Sequence, residues 1–294
     1  MPKECDTVQF LNSNILDITG AGKRGLGEAY GIELELEGRG VALADIPTKG
    51  WKRNKDGSLR GESVEYVFNG PAGFIEAQKR VVHLFNLFDK NKVELKNSYR
   101  TSTHIHINFA DNKVNDALKF FVVYTILEEL LEIYCGEGRE GNLFCMPSRD
   151  VETIVQYLER ALNKFGSFYE FDDNIRYCAV NLCALSKFGS IEVRTMRGAD
   201  NAEQVLDWLS VVKQMRDFSV NKMTTPARFI ESLSMLGAEG FLSQIFDDKT
   251  VENLMEAWAR TGKNLRQSLY EGARLLQVFA YRFDDDFAAE VKDV

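Results

Sequence analysis

GIELELEG, running from Gly31 to Gly38, alternates carboxylates at Glu33, Glu35 and Glu37 with the apolar residues Ile32, Leu34 and Leu36. In an extended strand successive side chains point to opposite faces, so this pattern sends all three acids one way and all three apolar groups the other. A helix would turn Glu35 away from Glu33 and Glu37. Three like charges in a row repel one another unless a cation lies among them, and a hard divalent ion such as Mg²⁺ takes oxygen ligands of this kind. A strand face bathed in solvent is the other reading of the same run.

The elements around this strand follow from periodicity. ESVEYVFNG, beginning at Glu62, reads as a second strand, and STHIHINFA, residues 102 to 110, as a third. Helices are expected from about Gly73 to Asp89, with Phe74, Val81, Val82, Phe85 and Phe88 as the apolar face, and from Val114 to Tyr134. A short strand near Asn14 to Ile18 and an amphipathic helix over residues 150 to 165 complete the first half. RYCAVNLCALSKFGSIEVRTMRG reads as a strand pair turning near Lys187 to Gly189. From Ala202 onward the chain reads as helical, with Trp208, Val211 and Val212 on one apolar face and Thr225-Pro226 as an N-cap followed by proline. Strands that alternate polar and apolar residues favour a mostly antiparallel sheet with one polar face, giving an α+β fold.

Composition excludes several classes. The 294 residues are 45% hydrophobic and 27% charged, as in ordinary globular proteins, and the net charge of -8 argues against direct binding to nucleic acid or anionic membranes. Five irregularly spaced cysteines form no CxxC pair, no signal-peptide apolar region opens the chain, and the most apolar run, Phe120 to Leu127, is too short to cross a bilayer. A reducing cytoplasm is the expected location. GAGKRG, Gly20 to Gly25, matches a dinucleotide fingerprint formally, but a strand rather than a helix follows it, so it reads as a loop able to cover a phosphate.

Further polar residues fall on strand faces. His104, His106 and Asn108 alternate with Ile105, Ile107 and Phe109, which places two imidazoles side by side for a metal or phosphate role. Glu192 and Arg194 alternate with Ile191 and Val193, as a cross-strand ion pair or as a metal ligand beside a phosphate clamp. Arg197 follows, and Arg176 and Asn181 belong to the strand expected to pair with this one. Glu65 is a carboxylate inside a strand-like segment, with Glu62 on its opposite face. His83 has apolar helical neighbours and reads as structural, and Glu37 as a solvated strand end. Together Glu33, Glu35, Glu65, His104 and Glu192 with several arginines make a polar face suited to hard cations and a polyphosphate, the layout that phosphoryl transfer requires.

GIELELEG, DGSLRGESVEYVFNGP, THIHIN, and RYCAVNL with GSIEVRTMRG, in this order, resemble the amidoligase family, relatives of glutamine synthetase and glutamate–cysteine ligase often encoded by phages and prophages. The resemblance spans Gly31 to Gly198. It implies a curved, mostly antiparallel sheet with outer helices, similar to the glutamine synthetase catalytic domain, in residues 1–200, with a helical C-terminal extension over 201–294 packed on it. It also implies an ATP- and Mg²⁺-dependent enzyme, Mn²⁺ being an alternative ion, that joins a small-molecule or peptide carboxylate to an amine through an acyl phosphate. Glu33 with His104 and Glu192 would hold one metal, and Glu35 with Glu65 the other. Arg194, Arg176 and Arg197 would serve catalysis. Arg194 and Arg176, with His106 and Asn181, would contact the nucleotide. Arg139 and Asn142 in REGNLFC, with Glu62, would face substrate. The segment departs from the family at Arg60 and Glu62, where small residues are usual. A kinase of a small carboxylate or guanidino compound on the same fold, a non-catalytic phage-type binding protein and a metal-dependent phosphodiesterase are the competing readings. Relatives of glutamine synthetase often form homo-oligomers.

Overall fold

A computed structural model of the chain describes residues 7–42, 49–136, 142, 145–150 and 177–277. Among the described residues seven strands form one open sheet in which every strand pairing is antiparallel: β1 (Tyr30–Arg39), β2 (Trp51–Asn54), β3 (Ser63–Phe68), β4 (Glu94–Lys96), β5 (Ser102–Asn108), β6 (Val180–Asn181) and β7 (Ser190–Arg197). The order across it is β2-β3-β1-β5-β7-β6, with β4 pairing the far end of β1. The helices are α1 (Thr7–Asn12), α2 (Ile15–Thr19), α3 (Phe74–Lys90), α4 (Val114–Cys135), α5 (Cys183–Phe188), α6 (Ala202–Asn221), α7 (Pro226–Ser243) and α8 (Asp248–Ala259), followed by helical residues 265–277, here α9. The chain is therefore α+β with an antiparallel sheet.

β1 sits at the centre of the sheet, between β3 on one side and β5 and β4 on the other. Ile32, Leu34 and Leu36 are 2% exposed or less and share the apolar face with Val64, Tyr66, Ile105, Ile107, Ile191 and Val193. Helix α4 packs against β7 on one side and against α6 and α8 on another. Being covered all round, it is apolar all round rather than amphipathic, and most of its side chains are buried. It also carries Lys119 and Glu128, and no described helix is long and apolar enough to cross a membrane. One continuous cluster of buried residues reaches from Phe10 through the sheet to Leu276 in α9, so the C-terminal helices share the core of the sheet. Thr225 caps α7 by accepting from Arg228 N, as the Thr-Pro pair indicates.

Several local expectations are corrected. Residues 15–19 form helix α2 rather than a strand, burying Ile15 and Thr19 one turn apart and ending at Gly20, which is left-handed. The segment expected to be a simple hairpin holds a two-residue strand, β6, then helix α5, before β7 begins. That helix starts where Asn181 Oδ1 accepts from Cys183 N, a local bond that draws the chain off the sheet. Strands β2 and β4 are additional to the expected strands, each being short and mostly polar. His83 and Val82 point to solvent, while the core face of α3 consists of Ala77, Val81, Leu84, Phe85 and Phe88. His83 therefore does not fill the core. The helix expected over 150–165 lies outside the described residues. At Gly38, φ is 136°, and a Cβ would stand 2.0 Å from Glu94 O, so only glycine lets β4 pair so closely with β1.

Glu128, buried inside α4, is the acid on which the 3₁₀ turn at Ser148–Asp150 is seated. Its oxygens accept from Ser148 N at 2.6 Å and Arg149 N at 2.8 Å. Burial pushes its carboxyl up to about 6 against the pull of those bonds. A carboxyl raised in the folded state favours folding most below its unfolded value near ~4.5, and that contribution is lost as pH rises through about 6, up to ~2 kcal/mol. Glu128→Gln should remove this dependence. Chemical denaturation between pH 4 and 7 should show the stability difference moving in the variant's favour as pH rises; a constant difference would refute the assignment.

Candidate functional site

The polar face of the sheet collects its functional groups by register. Glu33 pairs across β1–β5 with His104, and Glu35 with Ser102. On the other side of β1, Glu35 pairs with Glu65, which in turn pairs with Asn54 on β2. His106 pairs with Glu192, and Glu192 with Asn181. Residues paired directly across antiparallel strands point to the same face, so six strands contribute to one surface.

Two groups of possible metal ligands result. Glu33, His104 and Glu192 each present one ligand atom within 4.8 Å of the others, and so do Glu35, Asp56 and Glu65. His104 stands between the groups and is almost fully buried. Its Nδ1 lies 3.4 Å from Glu33 and 3.3 Å from Glu192, while its Nε2 lies 2.7 Å from Ser102 Oγ. Ser102 Oγ also donates to Glu35. His106 Nε2 lies 3.4 Å from Glu33, and its Nδ1 lies 3.2 Å from Ser190 Oγ. Arg194 donates to Glu192 Oε1 at 2.5 Å, and Asn181 Nδ2 donates to Glu192 Oε2 at 2.7 Å. Asn54 Nδ2 donates to Glu65 at 3.0 Å.

The electrostatics divide along the same line. For Glu33, burial opposes ionisation, but the hydrogen bonds from His104 and His106 outweigh it and hold the carboxyl well below its ordinary range. Glu192 is likewise held low against burial, chiefly by the Arg194 charge. Glu65 moves the other way: burial raises it, the bond from Asn54 opposes, and the charges of Glu33 and Glu35 raise it further. In the second group Glu35 has His104 Nε2 at 3.8 Å and interacts with the Arg194 charge. Two carboxylates within about 5 Å repel by roughly 3 kcal/mol at an effective dielectric of ~20. Three carboxylates gathered this closely offer the oxygen donors that a hard divalent ion takes.

The placement of the remaining candidates is mixed. Glu62 is exposed and accepts from Gly40 N at 2.9 Å, bracing the end of β1. Asn142 is buried and donates to Tyr99 O at 2.7 Å. Arg197 points further along β7, where it pairs with Asp200 at 3.2 Å. Arg139 and Arg176 lie outside the described residues. Glu37, expected at a solvated strand end, is instead 6% exposed and accepts from Arg60 N at 2.7 Å, because the loop before β3 folds back over it. The GAGKRG loop is seated against the start of β7, where a Cβ on Gly22 would meet Ala110 and the Phe188 carbonyl.

Asp56, Asn54 and Ser102 were not among the candidates. Asp56 lies outside any alternating run and accepts from Ser58 N at 2.6 Å. Ser102 could have been found, since it stands two residues before His104 and alternation puts both on one face. Searches against protein-family models and curated proteins found no match to this chain.

Two separable ion sites should follow from the two groups. Titration of Mn²⁺ followed by electron paramagnetic resonance should show two bound ions in the unchanged protein. Asp56→Asn should weaken one of them about tenfold or more, a charge-assisted contact being worth ~1.5–3 kcal/mol, and leave the other intact. Equal weakening of both, or no bound ion, would count against the pairing.

Proposed function

We propose that this chain is an ATP- and Mg²⁺-dependent carboxylate–amine ligase of the amidoligase kind, on a sheet similar to that of the glutamine synthetase catalytic domain. The observation that carries the reading is the pair of three-ligand groups on one sheet face, bridged by His104 and flanked by Arg194. The order of the motifs along the chain supports it independently.

In this reading Glu33, His104 and Glu192 hold one ion, and Glu35, Asp56 and Glu65 the other. Bound there, divalent ions would neutralise the β- and γ-phosphates of ATP. The oxygen of a substrate carboxylate attacks the γ-phosphorus and ADP leaves, giving an acyl phosphate. An amine then attacks the acyl carbon, and phosphate departs as the amide forms. Arg194 donates from its fixed position beside Glu192 to the phosphoryl oxygens as charge moves onto them. Asn181 and Ser102 position Glu192 and Glu35 rather than touching substrate. His106, held through Nε2 to Glu33 and through Nδ1 to Ser190, positions Glu33.

The test is ADP release from ATP and Mg²⁺ in the presence of pooled amino acids, peptides and polyamines, with mass spectrometry of the products. The expected product is lighter by one water than its acid plus its amine. Glu33→Gln and Glu192→Gln should each lower ADP release on the order of a hundredfold or more with the fold kept. A phosphorylated product without an amide would mean a kinase. Absence of ATP binding would mean a non-catalytic protein.

A further inference from the structure

Ser102 stands on β5 where the two ligand groups meet. It partners Glu35 across β1, and strand alternation puts its side chain on the same face as His104. Ser102 is 2% exposed and His104 1%, so the bonds these side chains make are made inside the protein rather than to solvent.

Ser102 Oγ has two polar neighbours among the described residues. It contacts a Glu35 oxygen, and it lies 2.7 Å from His104 Nε2. A hydroxyl carries one hydrogen, and a carboxylate oxygen accepts without donating. The Ser102 hydrogen therefore goes to Glu35, because otherwise two oxygen lone pairs would face each other in contact. Oγ is then left as an acceptor toward the imidazole, so Nε2 carries the ring hydrogen that spans the 2.7 Å. Nε2 lies 3.8 Å from Glu35, too far to donate to it directly. Donation thus runs from His104 Nε2 to Ser102, and from Ser102 to Glu35.

The other ring nitrogen faces the first ligand group. Nδ1 lies 3.4 Å from Glu33 and 3.3 Å from Glu192. These three residues present ligand atoms within 4.8 Å of one another. An imidazole binds a metal ion through a nitrogen lone pair, and the hydrogen bond made by the other nitrogen decides which one offers it. A partner that holds a ligating histidine in this way contributes about ten- to a hundredfold in ion affinity.

We infer, resting on the two-ion reading of this face, that Ser102 is a positioning residue for the first ion. It fixes His104 with its hydrogen on Nε2 and turns the Nδ1 lone pair toward the ion that Glu33 and Glu192 would hold. The serine serves that ion although its own hydroxyl is bonded to Glu35 of the second group. A serine that only steadied Glu35 would affect the second ion alone, and this difference separates the two roles.

Asp56→Asn leaves the first ion to be read by itself. Mn²⁺ titration followed by electron paramagnetic resonance should show that adding Ser102→Ala to Asp56→Asn weakens that ion about ten- to a hundredfold. Long-range ¹H–¹⁵N correlation spectra of the unsubstituted, ¹⁵N-histidine-labelled protein in saturating Mg²⁺ read the ring without any change at position 102. His104, assigned by the signals missing from His104→Gln, should carry its hydrogen on Nε2 and none on Nδ1. A hydrogen on Nδ1, or a first ion that Ser102→Ala leaves as tightly bound, would overturn the role of Ser102 while two ions still bind. No bound ion in the unsubstituted protein would overturn the ion sites themselves, and the role of Ser102 with them.

Discussion

The central position of β1 is the constraint from which the rest follows. Its apolar side chains are fully covered, so its register cannot slip: a one-residue shift would carry Ile32, Leu34 and Leu36 to the polar face and three carboxylates into the core. Burial of three large aliphatic groups is worth roughly 1.5–3 kcal/mol each, and burying even one unpaired carboxylate costs several. The hydrophobic term thus fixes the orientation of the acids. The strands on either side then receive their polar residues at positions set by β1.

His104 is the point where this arrangement becomes a site rather than a row of charges. It lies opposite Glu33, and its two nitrogens face different carboxylate groups. An irregularity in pairing between Thr103 and Ile105 lets β7 bring Glu192 and Arg194 alongside without losing the burial of Ile191 and Val193. Bulges of this kind re-aim side chains near functional sites. The first group is consequently met by imidazoles and a guanidinium at 2.5–3.4 Å, whereas the second has His104 only at 3.8 Å from Glu35. That asymmetry is a property of the tertiary arrangement, since both groups contain two or more carboxylates.

The C-terminal helices are part of the same structure. They cover α4, which is too apolar to stand in water, and they form a cavity beside Arg197. The pairing of Lys263 and Ser268 with Glu129 adds polar contacts between α4 and the region of α9. A helix buried on all sides needs partners on all sides, and the sheet can supply only one.

Much of this was legible in the sequence wherever a strong period was imposed by one-sided burial. The faces of β1, β3, β5 and β7, the positions of Glu33, Glu35, Glu65, His104 and Glu192, and the helical run after Ala202 all followed from alternation or helical spacing. Short elements did not: α2, α5, β2 and β4 are too brief for a period to accumulate, and tertiary partners decide them. Asp56 and Asn54 belong to the site because the connection between β2 and β3 folds beside Glu65, a long-range placement with no local signal. Glu37 is buried because a loop some twenty residues later covers it. By itself, then, the sequence determined which side chains share a face, because pleat and pitch are local geometry. Only the tertiary structure decided which faces meet, which charges find partners and where a cavity remains, because those depend on contacts between residues far apart in the chain.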